Sequence, residues 1–370
     1  APDDLDATMA LAQCHRLGGK TDDALATFDR AVEISPEDAG AHALRANLLA
    51  EQERFEEAAV AGAKSLQYGP KSAPAWSNQA WVLLQLNRLD EARVACRTAI
   101  DIDPGLSQAR YHLGLIHQAA DDLPEAALAL EAAIAANPRY VRALATLGLV
   151  RAAMGDIEVT ERIFDHDGMI GLHRIRAVSG YDTVARFNHD LLNHLCSHDS
   201  LMWNRPNRST VGGSQTLNIA DDQAAPVKAL RVVINEAVSE YLTAMKRQDK
   251  SDFYKDPPAT WNLVIWGVVL SASGYQEPHN HPSGYLSGVY YLSIPKEVSN
   301  TTGEAGYLEF GQSNAMSRAG ALLAAGSRRT VCPHAGLMAL FPSYFWHRTR
   351  PFESRKDRVC VAFDVLPREN

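Results

Sequence analysis

The sequence predicts an α+β chain of two parts: an N-terminal α-solenoid, then a mostly β domain of short antiparallel strands with flanking helices. Three observations predict it. Pro36, Pro70, Pro104 and Pro138 recur at intervals of 34 residues, the period of a stacked helix-turn-helix unit. Beyond Trp261 the texture changes to short β-prone runs broken by Gly, Pro and Asn, as in a sandwich or jelly roll. The chain has 370 residues, enough for two separate cores.

The repeats come first in the chain. Reading back from each proline, Ala24, Ala58, Ala92 and Ala126 fall in one register of the second helix, and Trp76, Gly114 and Gly148 occupy first-helix positions. Small residues there let neighbouring helices approach closely, and each proline ends its helix because it cannot continue the hydrogen-bond ladder. Period, alanine register and terminal proline together resemble the tetratricopeptide repeat family, with four repeats over about residues 5 to 138 and a fifth first helix from Arg139 to Met154. The pattern fails after Gly155-Asp156, where Thr160 replaces the alanine. Residues 1–156 are therefore expected to form the repeat domain and 157–175 a cap and connection, with Asp165-His166-Asp167 read as a solvated connector. Stacked repeats of this kind curve into a groove that binds extended peptides or another protein's surface. The alternative use is to pair two copies as a homodimer or to brace the second domain.

Residues 176–370 form the expected second domain. It opens with two helical patterns, RFNHDLLNHLCSH and QAAPVKALRVVINEAVSEYLTAM, joined by the Gly- and Asn-rich connection SLMWNRPNRSTVGGSQTLNIADD. His189, His194 and His198 are spaced for one helix face but read as surface residues, since no acidic partner stands at ligand spacing. The β-prone runs WNLVIWGVVLSAS, SGYLSGVYYLSIP, GYLEFGQ, RTVCPHAGLMALFPS and RVCVAFDVLP then follow.

Within these runs His279 and His281 are two residues apart, so on an extended strand both imidazoles face one side. His347, beside Phe345 and Trp346, supplies a third imidazole from a distant run. Three protein nitrogens suit iron, zinc or copper and leave positions open for chemistry. Arg358 is the one basic residue of the mostly apolar run RVCVAFDV. Burying its guanidinium costs roughly several kcal/mol unless an anion meets it, and its fork geometry suits a carboxylate.

The pieces HNHPSGYLSGVYYLS, LEF, AGLMALFPSYFWH and RPFESRKDRVCVAF resemble the iron(II)- and 2-oxoglutarate-dependent oxygenase family in its prolyl-hydroxylase-like branch. The resemblance implies a double-stranded β-helix, or jelly roll, with Fe(II), 2-oxoglutarate and O2 as cofactor and cosubstrates. It implies His279 and His347 as iron ligands, Arg358 on the distal carboxylate of 2-oxoglutarate, and Tyr291 hydrogen-bonded to that carboxylate or else packed in the core. The family usually carries Asp or Glu two residues after the first histidine, and here that residue is His281. Either His281 completes the ligand set, or a carboxylate from Glu277 or Glu309 does, or a water fills the place; three histidines is the expectation. The implied reaction is hydroxylation of a peptide or protein side chain recruited by the repeats. The alternatives are a small-molecule (amino acid) hydroxylase whose repeats serve assembly, and a non-catalytic repeat adaptor with a degenerate oxygenase domain.

Composition removes other classes. The formal net charge is -8, without the basic stripe that nucleic-acid binding needs. No apolar run is long enough to span a membrane and the start lacks signal-peptide character, so a cytoplasmic protein is expected. The five cysteines are far apart without zinc spacing and are expected to be reduced thiols.

Overall fold

The computed structural model describes residues 4–248, 251–299, 303–311 and 328–368. The chain divides into two compact units, Ala1–Ala143 and Leu144–Asn370.

The first unit is built from helix pairs: α1 (Leu5–Leu17) with α2 (Thr21–Ile34), α3 (Ala39–Glu51) with α4 (Phe55–Tyr68), α5 (Ala73–Gln85) with α6 (Leu89–Ile102), and α7 (Ser107–Ala119) with α8 (Leu123–Ala136). α9 (Val141–Ala153) begins a fifth pair, and the division between the units falls within it. The register alanines Ala24, Ala58, Ala92 and Ala126 are each fully buried. A β-carbon on Gly114 would come within 2.7 Å of Leu130, so only glycine permits this approach of α7 to α8.

The turn inside each pair uses the same backbone device. Gly19, Glu53, Asn87, Asp121 and Gly155, spaced 34 apart, all have positive φ, from 56° to 77°. Glycine and asparagine tolerate this region, whereas a longer side chain strains there. Glu53→Gly should therefore raise the unfolding free energy by about 1 kcal/mol in urea denaturation. A loss of stability would show that the Glu53 side chain contributes more than its backbone costs.

Amides tie successive first helices together: Asn78 Nδ2 donates to Asn47 Oδ1 at 3.1 Å and Gln108 Nε2 donates to Asn78 Oδ1 at 3.3 Å. Deeper, the buried His112 meets the Ser77 hydroxyl and carbonyl through Nδ1 at 3.0 and 2.9 Å. Burial pushes the His112 pKa down to about 4. The unfolded chain binds a proton at this histidine below about 6.5 while the folded one does not until about 4, so stability falls as pH drops through that window. His112→Gln should flatten the pH dependence of denaturation between pH 6.5 and 4 by on the order of 1 kcal/mol per unit. An unchanged slope would contradict the neutral buried state.

The second unit opens with the rest of α9, followed by α10 (Ile157–Ile163) and α11 (His166–Met169). The solvated-connector reading of Asp165-His166-Asp167 holds only for Asp167. His166 is buried edge-on against Phe345, with ring centroids 4.8 Å apart, and Asp165 is fixed by accepting the Gly168 N–H at 2.7 Å. A one-turn helix turns the imidazole inward here, which spacing alone does not reveal.

The strands are β1 (Gly171–Arg174), β2 (Met202–Trp203), β3 (Thr210–Gln215), β4 (Trp261–His279), β5 (Leu286–Ser293), β6 (Leu308–Phe310), β7 (Arg329–Val331), β8 (Leu337–Pro342), β9 (His347–Thr349) and β10 (Arg358–Pro367). They form one curled antiparallel sheet in the order β1-β8-β5-β10-β4-β9-β6-β7, with β3 on β4 and β2 on β3. The sheet curls because β4 is long and bends near Ser273, at φ 65°. Its first part pairs with β10 and its end pairs with β9. This is the jelly-roll architecture expected for the C-terminal half.

α12 (Val184–Cys196) and α13 (Ala225–Gln248) confirm the two helical patterns. The connection between them differs from expectation, because it contains β2 and β3. TVGGSQ looks like a loop because Gly212-Gly213 has no β-propensity, but Gly212, at φ 66°, lets the strand shift register against β4. The five cysteines are all free.

Candidate metal centre and anion pocket

The curl brings the two histidine segments together. β4 and β9 pair with His279 directly opposite His347, and His281 follows just past the end of β4. One ring nitrogen from each histidine lies within 4.8 Å of those of the other two. Hydrogen bonding decides which nitrogen each can offer. His279 Nδ1 lies 2.7 Å from the Glu277 carbonyl oxygen, His347 Nδ1 lies 3.0 Å from the Phe345 carbonyl oxygen, and His281 Nδ1 lies 2.9 Å from Asp364 Oδ2. Carbonyl and carboxylate oxygens only accept, so each Nδ1 carries a proton, and in the neutral imidazole that leaves the lone pair on Nε2. Burial, and then the neighbouring His281, pushes the His279 pKa down to about 4. Burial likewise holds His347 well below its ordinary value. These two imidazoles are neutral at neutral pH, the form a cation requires.

The histidines line a cavity of about 340 Å³. Its far wall comes from β5 and β10 and includes Tyr291 and Arg358. Alternate β10 residues Arg358, Cys360, Ala362 and Asp364 all face this space, as period two requires. Arg358 is 1% exposed. Its guanidinium lies 5.0 Å from the centre of the Tyr291 ring, Nε donates to the Gly306 carbonyl at 3.1 Å, and Nη1 meets Cys360 Sγ at 3.6 Å. No carboxylate pairs with it among the described residues. The Tyr291 hydroxyl is buried with no hydrogen-bond partner among the described residues. A buried cation without a counter-charge and an unsatisfied hydroxyl beside it leave room for one anion.

Residues 264–364 match the family model described as "Putative 2OG-Fe(II) oxygenase", and residues 1–48 and 49–116 match the tetratricopeptide repeat model. The chain joins tetratricopeptide repeats to a 2OG-Fe(II) oxygenase domain. No curated protein matches it. Similar solved structures include MamA from Desulfovibrio magneticus RS-1, at 18% identity over 44% of this chain and 92% of that one, with a TM-score of 0.41. PilW, titled a widely conserved type IV pilus biogenesis factor, is 22% identical over 44% of this chain and 74% of its own, with a TM-score of 0.41. YrrB, titled a TPR protein with an unusual peptide-binding site, is 21% identical over 44% and 84%, with a TM-score of 0.37. No helix among the described residues is long and apolar enough to cross a membrane.

Neither carboxylate considered as an alternative third donor lines the oxygenase cavity. Glu309 is 1% exposed and engaged by Arg328 and Arg348, and Glu277 is exposed. The carboxylate that does line it is Asp364, whose other oxygen accepts from the Ser287 hydroxyl at 2.6 Å. Asp364 was legible by the same test that singles out Arg358, a charge set within a mostly apolar strand.

A second group, His194, His198 and Asp222, also gathers its polar atoms within 4.8 Å, so an acidic partner does accompany the α12 histidines, supplied from just before α13. Its hydrogen bonds differ in kind. The Ser200 backbone N–H donates to His198 Nδ1 at 3.2 Å, which puts the His198 proton on Nε2, facing Asp222 Oδ2 at 3.5 Å. His198 thus presents an N–H where a metal needs a lone pair. The group is a hydrogen-bonded surface cluster with His194 Nε2 at 2.8 Å from Asp222.

Proposed function

We propose that the oxygenase domain is an iron(II)- and 2-oxoglutarate-dependent dioxygenase that hydroxylates a peptide or protein side chain recruited by the repeats. The observation carrying this reading is that His279, His281 and His347 gather their ring nitrogens on the same cavity that holds Arg358, which has no carboxylate partner among the described residues. His279, His281 and His347 would hold the metal. Arg358 would grip the distal carboxylate of 2-oxoglutarate through its fork, and the Tyr291 hydroxyl would donate to the same group. When bound, iron(II) and 2-oxoglutarate supply the activation of dioxygen and the oxidation of an unactivated C–H bond.

The protein's own part is placement. The Nδ1 hydrogen bonds hold three imidazoles with lone pairs inward before any cation arrives, so little reorganisation is needed on binding. Phe341, with its ring centre 4.8 Å from that of His347, keeps one flank of the site apolar. Asn47, Asn78 and Gln108 offer amides on the first helices of the repeats, able to donate to and accept from an extended peptide backbone.

The test is succinate formation by the full chain under air with Fe(II), 2-oxoglutarate and a peptide library. Peptide-stimulated succinate, with a peptide gaining the mass of one oxygen atom, is the expected result. Stimulation by free amino acids and by no peptide would redirect the reading to a small-molecule hydroxylase.

A further inference from the structure

Two of the three histidines are held in the same way and one is not. His279 and His347 each give their Nδ1–H to a neutral backbone carbonyl two residues earlier, at Glu277 and Phe345. His281 instead gives it to the carboxylate of Asp364, 83 residues away. Both oxygens of that carboxylate are engaged, one by His281 at 2.9 Å and the other by the Ser287 hydroxyl at 2.6 Å. Side chains of both residues are well covered, with relative exposures of 14% for His281 and 15% for Asp364. Trp266 stacks on the His281 ring, with centroids 5.6 Å apart and planes inclined by 19°. Three strands thus converge on the His281 imidazole: β4 through Trp266, β10 through Asp364, and β5 through Ser287, which holds Asp364.

We infer that Asp364 is a positioning residue that fixes His281 in the metal's ligand set and supplies beside it the negative charge that three imidazoles lack. This rests on the oxygenase reading above. Three neutral imidazoles leave a divalent cation without an anionic ligand. A carboxylate one hydrogen bond removed makes His281 a stronger donor than its two neighbours, aims its Nε2 and places a full negative charge in the same cavity wall. His281 and Asp364 together then do what a directly coordinated carboxylate would do. Ser287 and Trp266 keep the pair in register, the first by holding the carboxylate and the second by stopping the ring from turning.

The experiment is anaerobic titration of the full chain with Co(II), followed by its ligand-field absorption, and with Fe(II) in competition. Asp364→Asn keeps the size of the side chain and an acceptor oxygen but removes the charge. It should weaken metal binding by about 10- to 100-fold and shift the Co(II) absorption at saturating metal. Asp364→Ala should weaken binding further, and Ser287→Ala should fall between wild type and Asp364→Asn. The spectral shift at saturation separates a change in donor strength from a general loss of structure, which would lower occupancy without moving the bands. Asp364→Asn with wild-type affinity and an unchanged spectrum would overturn this inference alone. A wild-type chain that takes up no Co(II) or Fe(II) would overturn the oxygenase reading and this inference with it.

Discussion

His347→Ala should abolish stoichiometric metal binding, the larger of the two effects expected from single substitutions in the cavity. His347 is buried, at 7% exposure, directly across the strand pair from His279. Its ring centroid lies 4.4 Å from that of His279 and 5.2 Å from that of His281. Removing it leaves two donors and a gap on the apolar side near Phe341. The loss should exceed the roughly 10- to 100-fold typical of residues that only support a ligand. Isothermal titration with Fe(II) under argon measures it, and thermal unfolding without metal checks that the domain still folds. Retention of tight binding in a folded His347→Ala protein would remove this residue from the metal centre.

Arg358→Met should leave metal binding intact and cost roughly 100- to 1,000-fold in 2-oxoglutarate affinity, from the loss of two charge-assisted hydrogen bonds. A second, less obvious consequence concerns stability. A structural arginine has a carboxylate partner, and its removal destabilises the fold; among the described residues Arg358 has only a carbonyl, a thiol and an aromatic face. Its burial without a counter-charge is a cost in the ligand-free protein. Arg358→Met should therefore unfold no earlier than wild type when 2-oxoglutarate is absent. Saturating 2-oxoglutarate with metal should raise the unfolding temperature of wild type only. A marked fall in stability of the ligand-free variant would identify Arg358 as a structural residue.

The period, the alanine register and the terminal prolines were legible because each repeat must bury the same helix faces against its neighbours. The positive-φ turn at Glu53 was not, since nothing in a glutamate announces that conformation. In the second unit, the apolar character of RVCVAFDV marked Arg358 as a buried charge, and period two puts Asp364, six residues on, on the same face. Its link to His281 spans 83 residues, far from the position two after the first histidine where a directly coordinated carboxylate stands. Asp222 escaped for a related reason: it reaches His194 from 28 residues away, beyond any local pattern. Thr210–Gln215 read as a connection because pairing with β4, rather than the intrinsic preference of Gly212-Gly213, makes it a strand.

The central claim is that one cavity holds the metal and 2-oxoglutarate together. It is tested most directly by adding 2-oxoglutarate to the Fe(II)-loaded full chain under argon and recording the visible absorption. The account predicts a metal-to-ligand charge-transfer band that needs both components and saturates at one equivalent of each. It also predicts that the band vanishes in His347→Ala and needs far more 2-oxoglutarate in Arg358→Met. Binding of Fe(II) with no change on adding 2-oxoglutarate at any concentration would contradict it.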